Sequence, residues 1–173
     1  MRLAIADPPY LGYACPGHGE AAMVSNGLSF EVRGIPAPQG SKSFRGMHGG
    51  KPVMTESGGQ KLKDWRTAVR VDCVDAMRAA GVTGWSDTVA VHITFLMPRP
   101  KSHYRTGKHA DQLRPLAPIW CGKRPDIDKL IRATLDALTA AGIYADDANV
   151  AELAVGKRYA NGHPGALIMV RPL

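Results

Sequence analysis

Four aspartates in the C-terminal half of the chain could do chemistry if their side chains lay together. Asp126 and Asp128 flank one apolar residue in RPDIDKLIRATLDAL, and Asp146 and Asp147 follow in YADDANV. Carboxylates brought together at neutral pH repel one another unless one is protonated or a cation lies among them. Oxygen ligands without His or Cys select hard cations such as Mg²⁺ or Mn²⁺. The pattern therefore indicates a candidate metal site.

Each of these aspartates also has an ordinary structural interpretation. Asp126 could cap the N-terminus of a helix, and Asp128 could form an ion pair with Arg132 four residues later, as Arg132 could with Asp136. The Asp146 and Asp147 pair could be turn residues before a strand. Both interpretations stay open, because the sequence does not fix where Asp147 lies relative to the helix.

A basic segment leads directly into the first acidic motif. The chain carries a net charge of +7 and has a computed pI of about 9.5. Between residues 97 and 125, seven bases stand against one acid, Asp111, so 7 − 1 = +6 of the charge lies there. A localised basic stretch is typical of a protein that binds the phosphate backbone of nucleic acid, whereas a solvated loop is the plain alternative. The bases are Arg99, Lys101, Arg105, Lys108, Arg114, Lys123 and Arg124.

The bulk composition narrows the class of protein. A chain of 173 residues fits one domain with a sizeable core. It contains neither an apolar run long enough to span a bilayer nor a signal peptide, so we expect an intracellular, cytoplasmic protein. Three widely spaced cysteines predict reduced thiols rather than disulfides. A zinc site from Cys121 with His103 or His109 is conceivable but lacks paired-ligand spacing.

Hydrophobic periodicity and turn residues predict the elements that must position the aspartates. We expect one α/β (α+β) domain over residues 27–173, with two helices packed on a small mixed sheet. Residues 1–26 are predicted to be a poorly structured extension, and residues 34–51 a loop. The turn residues ANGHPG predict a hairpin between the last two strands. The predicted order is strand 28–33, helix 60–80, strand 88–97, helix 127–142 and strands 150–159 and 165–171.

The apolar stripe of the first predicted helix and the strand at 88–97 are candidate core. On the strand, alternation should turn Val89, Val91, Ile93 and Phe95 to one face. Both surfaces could instead belong to a subunit interface. The helix stripe consists of Leu62, Trp65, Val69, Cys73, Val74 and Met77.

The acidic motif and its spacing resemble the signature of RusA-type Holliday junction resolvases. That family carries a Pro-Asp-x-Asp-Asn-Leu-x-Lys start, an Asp-Ala-Leu inside the helix and an Asp-Asp-x-Gln-Val end. The corresponding run here is PDIDKLIRATLDALTAAGIYADDANV. PQGSKSF and MPRPKSHYRTGK resemble the N-terminal loop and the basic loop of phage-type members. The resemblance covers about residues 28 to 171.

The resemblance implies a homodimeric, metal-dependent enzyme that cuts four-way DNA junctions by paired symmetric nicks during recombination and repair. It makes Asp126, Asp128 and Asp147 the metal-binding catalytic acids, with Asp146 beside them, and Mg²⁺ the cofactor, with Mn²⁺ as a possible substitute. Lys129 stands where the family has Asn, and Arg132 where it has its catalytic Lys. The expected DNA-binding residues are Lys42, Arg99, Lys101, Arg105, Lys108, Lys123, Arg124, Lys129 and Lys157.

Two other functions remain as alternatives. The same fold could bind branched DNA with weak or no cleavage, because Lys129 and Arg132 replace the usual residues. The tetrapeptide DPPY at residues 7–10 matches the catalytic motif of methyltransferases that act on amino groups of DNA bases. No glycine-rich cofactor loop after a strand accompanies it, so this match is weak.

Overall fold

The structure is a computed structural model that describes residues 22–24, 27–40, 42–56 and 58–173. For residues 22–24, 42–45, 47 and 51–56 the structure describes the backbone but not the side chains. The predicted N-terminal extension, apart from the backbone of residues 22–24, and its DPPY motif lie outside the described residues. In the part that is described, no helix is long and apolar enough to cross a membrane.

A mixed sheet of four long strands, with a three-residue strand at one edge, forms the centre of the fold. The order across the sheet is β1-β2-β7-β5-β6. All neighbours are antiparallel except β5 and β6, which run parallel. A separate two-stranded hairpin precedes the first helix. The strands are β1 (Ala22–Val24), β2 (Gly27–Arg33), β3 (Lys42–His48), β4 (Lys51–Glu56), β5 (Val89–Met97), β6 (Val150–Tyr159) and β7 (Gly165–Pro172).

Two helices pack against each other beside this sheet. Helix α1 spans Gly59–Ala80 and ends at Gly81, whose φ of 66° is the left-handed conformation that glycine adopts without strain. Helix α2 spans Ile127–Ala141 and ends in the same way at Gly142, with φ of 80°. Both boundaries follow the predicted ones closely, because glycine stops and apolar spacing are strong local signals.

The predicted α+β domain is confirmed, but two local predictions were wrong. Residues 34–51 were predicted to be loop, whereas they contain β3 and the start of β4. Gly49 and Gly50 form the tight turn of that hairpin, and the same glycines made the segment resemble irregular chain. The predicted hairpin of β6 with β7 does not form, because β5 lies between them. A parallel β5–β6 pair requires the crossover that α2 supplies.

The core lies between the two helices and one face of the sheet. Val89, Val91, Ile93 and Phe95 are buried together, as the alternation along β5 predicts. The buried stripe of α1 matches the prediction except that Ala76 replaces the half-buried Val74. The two surfaces that could have formed a subunit interface are therefore intramolecular core. On α2 the buried residues are Leu130, Ala133, Thr134, Ala137 and Leu138.

One buried polar contact links the two helices. The Trp65 indole Nε1–H donates to Thr134 Oγ1 at 3.2 Å, and Thr134 Oγ1 donates to the Leu130 carbonyl at 2.9 Å. Trp65 is 2% exposed and Thr134 is fully buried. A buried indole N–H without a partner would bear the whole cost of its desolvation. This contact therefore fixes the rotation of α2 about its axis and, with it, the direction of the side chains at its ends.

Replacing Thr134 with Val should destabilise the protein by roughly 1–3 kcal/mol, because valine keeps the shape but leaves the Trp65 N–H unpaired. Urea denaturation followed by far-ultraviolet circular dichroism measures the change. Thr88→Val is the matched control, since Thr88 is exposed and its valine variant should stay within about 0.5 kcal/mol of wild type. Equal stability of the two variants would contradict a stabilising role for the hydrogen bond between Trp65 and Thr134.

Candidate active site and nucleic-acid interface

Asp126 and Asp128 lie together at the N-terminus of α2. Asp126 occupies the N-cap position with an extended backbone, and Asp128 is exposed in the first turn. The Asp126 side chain makes no capping hydrogen bond to the helix backbone. The prediction that its side chain caps the helix is therefore wrong. The two carboxylates instead stand at the surface, at the positive end of the helix dipole, where negative charge is stabilised.

The Asp126 carboxylate is held by a neighbouring lysine. Lys129 Nζ donates to Asp126 Oδ2 at 2.9 Å. This hydrogen bond, the Lys129 charge and the more distant charge of Arg124 hold the pKa of Asp126 below its ordinary value. The carboxylate thus stays ionised to lower pH than a free aspartate, and its stabilising pairing is lost as pH falls through that lowered pKa. Asp126 is therefore ionised at neutral pH.

Asp146 and Asp147 lie at the opposite end of α2. Asp146 Oδ1 accepts from the Ala148 N–H at 2.8 Å, in agreement with its interpretation as a turn residue. The Asp147 carboxylate accepts from Thr139 Oγ1 at 2.5 Å. Thr139 is 13 residues along the helix from Asp126, so about 20 Å separates the two ends at 1.5 Å per residue. Among the residues described, no three His, Cys, Asp or Glu side chains could hold a metal ion together.

The remaining charges on α2 are arranged differently from the simple helical pairs. Asp136 faces Arg66 of α1 at 3.6 Å, so it joins the two helices instead of pairing with Arg132. Arg132 is exposed, one turn after Asp128 on the same side of α2. Asp126 and Asp128, with Arg132 one turn later, are exposed charged residues at the start of the helix, which we call the α2 head.

The basic segment that precedes the α2 head is an ordered loop. The Arg99 guanidinium donates to the carbonyls of Pro118, Tyr159 and Ala160 and to Asn161 Oδ1, at 2.8 to 3.4 Å. Arg99 thus holds the start of the loop, and through Pro118 its later part, against the end of β6 at Tyr159. A second link is an isolated antiparallel bridge between Tyr104 and Leu113.

Most of the predicted DNA-binding bases stand out from this ordered loop. The Lys42 side chain lies outside the described residues, although its backbone begins β3. Arg99 is half-buried with its donors directed to the protein, so its geometry favours holding the loop. The exposed candidates are Lys101, Arg105, Lys108, Lys123, Arg124 and Lys129.

Comparison with known families settles the class of the chain. The family model described as endodeoxyribonuclease RusA matches residues 34–171, which is well over half of the sequence. The chain belongs to the RusA family. Among curated proteins, no relative of the chain is found. The family assignment implies a nuclease of the hydrolase class, with branched DNA as its substrate class.

In this RusA-family chain, Lys157 positions the approach to the α2 head. Its Nζ donates to the carbonyls of Lys123 and Pro125, each at 2.7 Å. Lys157 was predicted as a phosphate contact, but these two bonds engage it with the backbone just before Asp126. The pair of bonds fixes the course of the backbone at Lys123 and Pro125, directly before the α2 head.

Sequence reasoning missed an exposed aromatic residue on the basic loop of this RusA-family chain. The Arg158 guanidinium lies 4.8 Å from the centroid of the Trp120 ring, and Trp120 is 55% exposed. An exposed indole beside an arginine can stack on a nucleic-acid base. The signal that could have found it was present, since Trp120 is the only tryptophan between residues 97 and 125.

Replacing Lys157 with Met should lower the affinity for branched DNA and the protein's stability together, without reducing the salt dependence of binding. The reason is that a positioning lysine releases no counterions from DNA, whereas a phosphate contact contributes about 0.9 to the slope of log K against log salt. Fluorescence anisotropy over a range of salt concentrations measures the slope. Lys101→Met, in an exposed loop lysine, is the control. A slope reduced by about one in Lys157→Met, with unchanged stability, would identify a phosphate contact instead.

Proposed function

We propose that this protein is a divalent-metal-dependent endonuclease that resolves four-way DNA junctions by paired symmetric nicks. The observation that carries the proposal is the α2 head. Two exposed carboxylates stand there directly after the exposed cations Lys123 and Arg124, in a chain of the RusA family. Phosphodiester hydrolysis needs this combination, since cations hold the DNA backbone and carboxylates hold the metal. Such an enzyme would act in the cytoplasm of a bacterial or phage-infected cell.

The donor set at the α2 head fits Mg²⁺, with Mn²⁺ as a substitute. Mg²⁺ sites in phosphate-processing proteins use one or two carboxylates, and water and phosphate oxygens complete the octahedron. Asp126 and Asp128 supply two carboxylates with no competing His or Cys ligand. When bound, the metal polarises the scissile phosphate and lowers the pKa of an attacking water.

Arg132 is placed to act on the same phosphate. It lies one turn after Asp128 and is exposed on the same side of α2. A guanidinium remains charged at all working pH values and donates two parallel hydrogen bonds to phosphate oxygens. It would stabilise the negative charge of the pentavalent transition state. It would not supply the leaving-group proton, which then comes from solvent.

We further propose that the enzyme is a homodimer in which Asp147 of one chain completes the site of the other. Within one chain α2 separates Asp147 from Asp126 by about 20 Å, too far for one ion. A twofold axis that set two copies of α2 side by side and antiparallel would bring each Asp147 to the other chain's α2 head. Paired active sites also match the two equivalent strands of a junction.

Strand β6 offers the surface for this pairing. It is the last strand of the described sheet, and residues 119–121 cover its outer side only near Lys157 and Tyr159. Residues 151–154 are exposed, and Leu153 is 42% exposed although apolar. Unpaired strand edges of this kind recruit another strand. An antiparallel pair over residues 151–155, centred on Leu153, would run the start of each β6 towards the end of the other, which would move Asp147 towards the partner's Asp126.

The contact between Lys129 and Asp126 favours a second candidate function, a branched-DNA binder that cuts poorly. The ammonium group stands 2.9 Å from Asp126 Oδ2, where it competes with a metal ion for that oxygen. The family has a neutral Asn at this position. A comparison of junction cleavage with junction binding distinguishes the two functions.

Wild-type protein with a synthetic four-way junction and Mg²⁺ should give nicks at symmetric positions, whereas EDTA should abolish them. Asp128→Asn should reduce cleavage by at least about 100-fold while leaving junction affinity within a few-fold, because it removes a metal ligand but not the basic loop. Denaturing gel electrophoresis of end-labelled strands measures cleavage. Asp111→Asn, an exposed acid on the basic loop, is the matched control. Tight binding without nicks in either Mg²⁺ or Mn²⁺ would favour the binder.

Mixing two inactive variants tests the shared site. In a heterodimer of Asp126→Asn with Asp147→Asn chains, one composite site keeps both aspartates and the other loses both. Cleavage of one strand of the junction should therefore return on mixing, to about a quarter of the wild-type rate at full random exchange, because half of the dimers are then heterodimers and each has one intact site of two. Mixing Asp126→Asn with Asp128→Asn is the control, because both changes affect the same α2 head and leave neither site intact. Failure of the first mixture to recover, with exchange verified by mass spectrometry, would place Asp147 outside the shared site.

A further inference from the structure

An open cleft of about 800 Å³ lies beside Asp126. Its walls include the loop at residues 35–38 and, from the start of the basic loop, Met97, Pro98 and Pro100. Tyr159 also lines the cleft. Clefts of 300 to 1,000 Å³ are the usual size for small-molecule sites in proteins, so one nucleoside fits here with room for its phosphates.

The walls are apolar and rigid. Pro36, Pro38, Pro98 and Pro100 line them, and proline rings lose little conformational freedom when a ligand binds. Tyr159 is only 7% exposed, with the ring of His103 perpendicular to its own at 4.7 Å between centroids and the Arg99 guanidinium 5.4 Å from its ring centroid, so it is fixed in place. The preorganised proline surfaces suit the face of a base, because stacking tolerates any base and needs no hydrogen bonds.

The rim of the cleft is strongly cationic. Lys61, Lys123, Arg124 and Lys129 lie among its lining residues, against the single acid Asp126. Two phosphates flank every nucleoside in a strand, so four cations around an apolar cleft match a nucleotide in its chain better than a neutral ligand. The position of Asp126 in the same lining places the cleft next to the proposed cutting site.

We propose that this cleft receives one unstacked nucleoside adjacent to the scissile phosphate. The proposal rests on the proposed nuclease function and adds how branched DNA is selected. A base inside a duplex is stacked and paired and can enter only after extrusion, which costs a few kcal/mol less where the base is already unpaired. In the open form of a junction, the base pairs at the crossover lack a stacked neighbour on one side, so their bases are extruded at lower cost and an occupied cleft favours junctions over duplex DNA.

Ile35 provides the probe, because it lies on the cleft wall and is 61% exposed. Its truncation should leave the fold intact. Leu116 is the control, since it is 95% exposed and does not line the cleft. Both are replaced with Ala in an Asp128→Asn background, so that binding is measured without cleavage. The DNA is a four-way junction that carries an abasic site at each nucleotide within two positions of the crossover in turn.

At one position, removal of the base should weaken binding by about fivefold or more in the Asp128→Asn parent and in Leu116→Ala. In the Ile35→Ala variant, removal of the same base should weaken binding by less than half of that factor, because part of the contact between the base and the cleft wall is already lost. If the abasic penalty is the same in Ile35→Ala as in the parent, or appears at no position, the cleft does not hold a base. These outcomes are separate from the cleavage assay, since binding can show the penalty even where the wild-type protein makes no nicks. A protein that binds junction and duplex DNA equally would overturn the selection of junctions by this cleft while leaving nuclease activity untouched.

Discussion

The burial of α2 against α1 and the sheet is the constraint on which the site depends. Thr134 on α2 accepts the Trp65 indole N–H, and Leu130, Ala133 and Leu138 around it are fully buried, so the helix cannot rotate or slide without breaking that contact. A rigid helix holds its two ends at a fixed distance. The carboxylates at those ends therefore cannot meet within one chain, and this separation is what requires a second copy in the proposed mechanism.

Much of the fold could be predicted because its signals are local. The helices have strong apolar spacing and glycine ends, and β5 is a run of mostly apolar and β-branched residues. The hairpin of β3 and β4 was missed because its glycines and polar residues give little alternation, although Gly49 and Gly50 form a recognisable tight turn. The place of β7 between β2 and β5 was also unpredictable, since strand order depends on long-range pairing rather than on the turn that precedes the strand.

The candidate site was predictable in its composition and less so in its geometry. Spacing alone placed Asp126 and Asp128 at the head of one helix. It could not show that the Asp126 side chain turns away from the helix backbone to Lys129, or that Asp147 bonds to Thr139 at the other end. Sequence reasoning also predicted that Arg99 and Lys157 bind DNA like the other basic residues. Their donors face backbone carbonyls, a distinction that depends on tertiary contacts absent from any local pattern.

The replacement of the family's Asn by Lys129 has an electrostatic consequence at the site. An ammonium 2.9 Å from Asp126 neutralises part of the charge that would attract a cation, so a metal ion bound there as proposed would displace or share this contact. Lys129 is also on the rim of the apolar cleft, where a DNA phosphate offers it another partner. Binding of DNA would draw the ammonium towards the phosphate and release Asp126. Metal and branched DNA would then bind with positive coupling, because each removes the competitor of the other.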